Sequence, residues 1–78
     1  MSGRQVEQLV KMAQQIAVNL GVGRDAAAAR RTAEHLGRFW TPAMRARLLA
    51  FWRGGGEVSA EVAMVLRELD GQQDEGAS

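Results

Sequence analysis

His35-Leu36-Gly37-Arg38-Phe39-Trp40-Thr41-Pro42-Ala43-Met44-Arg45-Ala46-Arg47-Leu48-Leu49 decides how this chain folds. It holds one of the two tryptophans, one of the two phenylalanines, the only histidine, the only proline and three of the nine arginines. Proline disfavours the helical conformation in the residue before it, so Thr41 must leave the helix. Proline at the first position of a helix costs nothing, because that N–H has no partner in any case. Thr41 can then cap the new helix through its hydroxyl. One helix therefore ends near Trp40 and another begins at Pro42, with a large aromatic set among arginines at the joint.

Working outward, helical spacing accounts for nearly the whole chain. Val6, Leu9, Val10, Ala13, Ile16, Ala17 and Leu20 recur at three and four residues, predicting a helix over 5–20 that Gly21 ends. A second helix is expected over 25–40, with Asp25 at its N-terminal end. Ala26, Ala29, Ala33, Leu36 and Trp40 share one face of it. Ala28, Thr32, His35 and Phe39 form an adjoining strip, so the apolar arc is wide enough for two packing surfaces. Arg30, Glu34 and Arg38 lie opposite at four-residue spacing, where each pair contributes about 0.2–0.5 kcal/mol. A solvated face explains Arg30 without any function.

The third helix is expected over 42–53, with Met44, Leu48 and Phe51 on one face, Trp52 at its edge, and Leu49 on another side between Arg45 and Arg53. Gly54-Gly55-Gly56 stops it. Ser59 should cap a fourth helix over 59–69, carried by Val58, Val62, Val65, Leu66 and Leu69. Asp70-Gly71 should end it, and residues 71–78, polar and without apolar anchors, should form a disordered acidic tail. The expected architecture is thus all-α: a single domain over 1–70 built as a small bundle of four short helices.

Composition narrows the function. A chain of 78 residues has a marginal core, burying only about 60–65% of its unfolded surface. It has no cysteine, which excludes disulfides, thiolate metal sites, iron–sulfur ligation and a cysteine nucleophile. A partner subunit is the remaining aid for so small a fold. One histidine cannot build a metal site with the carboxylates at hand. Thr41 and Ser59 read as caps rather than nucleophiles, since neither has a base nearby. The triple glycine has no lysine at phosphate-loop spacing. No secretory signal or membrane-spanning run is present, so the expected compartment is the cytoplasm.

Charge is segregated. Residues 24–53 carry seven arginines against Asp25 and Glu34, a net of +5, and residues 54–78 carry Arg67 against six acids, a net of −5. The basic middle seeks an acidic partner: the chain's own last third, another protein, or nucleic acid. The helix after Pro42 is too apolar to read a nucleic-acid groove. Arg45 stands in the first turn of its helix, where a cation is disfavoured by up to about 1 kcal/mol. An external carboxylate would resolve that conflict.

Three stretches carry a family resemblance: Leu9-Val10-Lys11-Met12-Ala13-Gln14-Gln15-Ile16-Ala17, then Arg38-Phe39-Trp40 with Pro42 and Met44-Arg45, then Gly55-Gly56-Glu57-Val58-Ser59 leading to Val65-Leu66. Together they resemble the delta subunit of NAD-dependent formate dehydrogenase, the FdsD family. The family tends to carry Asn where Gln14 stands, a basic residue at Gly37 and Ala43, and often Pro at Ala60. The resemblance implies a non-catalytic accessory subunit that stabilises or helps mature a cytoplasmic complex oxidising formate to carbon dioxide with NAD as acceptor. It also implies that larger subunits, foremost the catalytic one, hold a molybdenum or tungsten pterin centre, iron–sulfur clusters and FMN, while this chain holds no cofactor. A transient assembly factor and a small nucleic-acid-binding module are the alternatives. The partner interface is expected at Arg38, Phe39, Trp40, Pro42, Met44 and Arg45, with Arg38 and Arg45 facing acidic groups around a partly buried Trp40.

Overall fold

The computed structural model describes the backbone of residues 2–77 and the side chains of 5–25 and 27–71. Four helices make up the fold: α1 (Ser2–Asn19), α2 (Ala26–Phe39), α3 (Pro42–Arg53) and α4 (Ala60–Ala77), and no strand occurs among the described residues. Every helix touches the other three, and the most extensive packing is between α2 and α4. Ala28, Ala29, Ala33 and Leu36 of α2 are buried with Val62, Val65, Leu66 and Leu69 of α4. Three methyl side chains on one helix keep its surface low, so neighbouring helices come close on more than one side. The mixed strip is buried at Ala28 and Thr32, whose hydroxyl donates to the Ala28 carbonyl at 2.7 Å, and opens to solvent toward Phe39.

The helix starts follow the capping chemistry written in the sequence. Asp25 Oδ1 accepts from the Ala27 amide at 3.0 Å. Thr41 Oγ1 accepts from Met44 N at 3.2 Å, with Pro42 at the first helical position. Ser59 Oγ accepts from Val62 N at 3.2 Å and donates to the Gln14 amide oxygen, which ties the start of α4 to α1.

Two helices end in the same glycine-dependent turn. After α1, Gly21 adopts φ +82°. Its amide donates to Val18 O at 3.1 Å, and Val22 N donates to Ala17 O at 3.0 Å. After α3, Gly55 adopts φ +94°, with Gly55 N donating to Trp52 O and Gly56 N to Phe51 O. This pair of crossed bonds is the Schellman motif, which satisfies carbonyls a helix end leaves open. In the second motif the Phe51 ring lies so close to Gly56 that a Cβ there would run into it.

Two expectations need correction. Leu20 is expected on the buried stripe but is 38% exposed, and Val22 is buried in its place. The helix stops at Asn19, and the left-handed Gly21 folds the chain so that Val22 packs on the end of α1. Leu49 is expected off the packed face of α3, yet it is as buried as Leu48, while Met44, Phe51 and Trp52 flank the pair as half-buried side chains. The arginines beside Leu49 make room by extending to polar partners: Arg45 to α2 and Arg53 to Asp70 of α4. Long cationic side chains lay their stems on apolar surface in this way. The backbone of α4 runs beyond the expected 59–69, to Ala77. The last buried side chain described on α4 is Leu69. The tail expected over 71–78 lies, for the side chains of 72–78, outside the described residues.

The left-handed glycines generate a test. Gly21→Ala and Gly55→Ala should each cost about 1–2 kcal/mol, since alanine at positive φ is strained. Gly37→Ala should instead stabilise by about 0.5–1 kcal/mol, because Gly37 is helical and a Cβ there meets nothing within 4 Å. Thermal melts followed by circular dichroism read the sign of each, at about 4–8 °C per kcal/mol for a chain this size.

Candidate partner-docking corner

α2 and α3 meet across Trp40-Thr41. Trp40 leaves the helix with φ −92° and ψ 144°, and its N–H still donates to Leu36 O. The indole turns inward and is 6% exposed, within the same core cluster as Leu36, Leu48 and Leu49. The expectation of a partly buried Trp40 therefore becomes a core residue. Deep placement follows from geometry: a side chain at the joint of two packed helices has both helices to cover it.

Arg45 finds polar partners inside the chain. Its Nη1 donates to Trp40 O at 2.6 Å and to Gly37 O at 3.1 Å, and the residue is half-buried. Both carbonyls belong to the C-terminal end of α2, where the helix carries negative partial charge and its last C=O groups lack partners. The unfavourable position of Arg45 at the start of α3 is thus offset by a favourable one at the end of α2. No external carboxylate is needed to explain its place.

The other corner residues point outward. Phe39 is 70% exposed, the most exposed large apolar side chain described, and stacks tilted on His35 with ring centroids 4.6 Å apart. Arg38 and Pro42 are exposed as well. Aromatic residues and arginine are the types enriched at interface cores. Met44 is half-buried and faces elsewhere, into an open groove of about 530 Å³ lined by Gln5, Gln8, Leu9, Ala43, Met44 and Arg47. The corner thus brings together Arg45 with Trp40, but not all six expected residues on one surface.

Gln5, Gln8 and Arg47 were not legible as a site. Ala43 and Arg47 are four residues apart, which puts them on one face of α3, and Gln5 and Gln8 share a face of α1. Only the tertiary fold sets those faces side by side, with Arg47 donating to the Gln5 amide oxygen. Among the described residues no group of three or more His, Asp or Glu side chains is placed to hold a metal. Nor does any described helix have the length and apolarity to cross a membrane.

A family profile described as "NADH-dependant formate dehydrogenase delta subunit FdsD" matches residues 8–66. The chain belongs to the FdsD family. Membership implies a delta subunit of NAD-dependent formate dehydrogenase, a small chain among larger partner subunits. The match covers α2 and α3 whole, with the corner between them, and runs from Gln8 in α1 to Leu66 in α4. No curated protein and no solved structure gave a significant match.

The two arginines should separate on replacement. Arg45→Met should destabilise the isolated chain by about 1–2 kcal/mol, the scale of charged hydrogen bonds to carbonyls. Arg38→Ala should stay within about 0.5 kcal/mol of the parent, as exposed changes do. Trp40→Ala should cost about 3–5 kcal/mol, a large share of the roughly 4–12 expected for a domain this long. Urea unfolding of the three variants checks the ranking.

Proposed function

We propose that this chain is a non-catalytic accessory subunit of a cytoplasmic NAD-dependent formate dehydrogenase, which it stabilises or helps to mature. The observation that carries this reading is the family match across the core of the fold and the corner it builds. Oxidation of formate, on this reading, takes place on the larger subunits, foremost the catalytic one. Those subunits hold the molybdenum or tungsten pterin centre, the iron–sulfur clusters and FMN. The donor set here does not fit an iron–sulfur cluster, since the chain has no cysteine. Its chemistry is that of a docking protein: Phe39 supplies exposed apolar area and Arg38 an exposed cation, both on the last turn of α2 next to the stapled Trp40-Thr41-Pro42 turn.

A small fold with a marginal core and an exposed aromatic gains stability by binding. A partner that binds only the folded form stabilises it by mass action, by about 2.7 kcal/mol when present at a hundred times the dissociation constant. The larger subunit gains a rigid cap in return.

Co-purification tests the reading. Tagged chain expressed with the larger subunits should remain at constant stoichiometry in active, cofactor-loaded enzyme. Loss of the chain once cofactors are inserted would favour a transient assembly factor, and salt-dependent DNA or RNA binding by the isolated chain would favour a nucleic-acid module. Phe39→Ser should lower retention at least tenfold while leaving the melting temperature of the isolated chain unchanged or higher.

A further inference from the structure

The groove between α1 and the first turns of α3 is separate from the exposed Phe39 and has its own chemistry. Its apolar lining comes from Leu9, Ala43 and Met44, and its polar lining from two amides, Gln5 and Gln8, and one cation, Arg47. None of the six lining residues is acidic. Arg47 gives one of its N–H groups to the neutral amide oxygen of Gln5, and among the described residues no carboxylate is in ion-pair range of it. A guanidinium has five donors in a planar fork that suits a carboxylate. Met12 lies one turn beyond Gln8 and Leu9 on α1 and is 40% exposed, so the apolar strip continues along that helix.

We propose that this groove receives an acidic segment of a larger formate dehydrogenase subunit. The proposal rests on the reading of the chain as a subunit of that enzyme. Charge complementarity selects the occupant: Arg47 is the one charged side chain among the six that line the groove, and no acid stands with it there. Arg47 pairs with an Asp or Glu side chain of the segment. The amides of Gln5 and Gln8 hydrogen-bond its main chain, an arrangement that reads an extended peptide without fixing its sequence. An apolar side chain of the segment rests on Leu9 and Met44, where the thioether adapts to its shape.

Site-specific photocrosslinking in the assembled complex tests this. Benzoylphenylalanine placed at Ala43, which is exposed and lines the groove, should crosslink to a peptide of a larger subunit containing Asp or Glu. The same probe at Arg30, on the solvated side of α2, should not. Crosslinks from position 43 only to a second copy of this chain, only to its own C-terminal residues, or to nothing would overturn the proposal. As a second arm, Arg47→Glu should reduce retention in the complex at least tenfold, and Arg47→Lys less than Arg47→Glu, with melting of the isolated chain within a few degrees of the parent. Retention of Arg47→Glu equal to the parent's would overturn the groove alone. Failure of the unmodified chain to co-purify with any larger subunit would overturn the subunit reading as well.

Discussion

Two helix ends of opposite partial charge meet across Thr41: the open carbonyls of α2 and the free amides of α3. Each end needs partners, and the turn between them is too short to supply them all from the backbone. Thr41 serves the amides through its hydroxyl, and Arg45 serves the carbonyls of Gly37 and Trp40 through its guanidinium. With both ends satisfied, the angle between α2 and α3 is held by polar contacts as well as by packing, and Trp40 can fill the space inside it. The core around Leu36, Leu48 and Leu49 depends on that angle, and so does the outward aim of Phe39.

The placement of the remaining charge follows from the same economy of partners. Arg30 pairs with Glu34 and Arg31 with Asp25, both exposed, where such pairs contribute about 0–1 kcal/mol. Arg53 reaches the Asp70 carboxylate across the α3–α4 boundary, so part of the acidic last third does answer the basic middle. Arg38 and Arg47 have no carboxylate in ion-pair range among the described residues. Arg47 sits where the chain presents apolar surface, at the groove beside Leu9 and Met44.

What the amino-acid order reveals here divides by range. Asp25, Thr41 and Ser59 act within three residues of themselves, so their capping roles could be read directly, as could the Pro42–Arg53 extent of α3. Val22 could have been found with one more local rule: an apolar residue directly after a helix-ending glycine packs back on the helix it follows. Leu49 and Arg45 are different. Spacing on α3 places them on the same side, and that side looks charged until α2 and α4 arrive to receive the arginine heads. The groove is farthest from the sequence, because Gln5, Gln8 and Arg47 are ordinary exposed residues on two helices whose contact only the whole fold determines. The family resemblance shows in the central block, where local constraints are densest: proline, cap and aromatic stand within a few residues.

Interface size bears on how the two surfaces relate. A stable protein–protein interface covers about 800 Å² on each partner, whereas a large aromatic side chain supplies about 150–250 Å². Phe39 with Arg38 therefore falls well short of a permanent contact by itself. The total accessible surface of the chain is 5198 Å², so a standard interface would occupy a substantial fraction of it and must extend beyond the corner. The first turn of α3 is the physical link: Pro42 belongs to the exposed corner, and Ala43 and Met44, the next two residues, already line the groove. A partner surface laid along that turn would meet Phe39 at one end and Arg47 at the other. The Arg45 bonds to the Gly37 and Trp40 carbonyls tie the start of α3 to the end of α2 on either side of that turn. Rigidity of that kind lowers the ordering cost of binding.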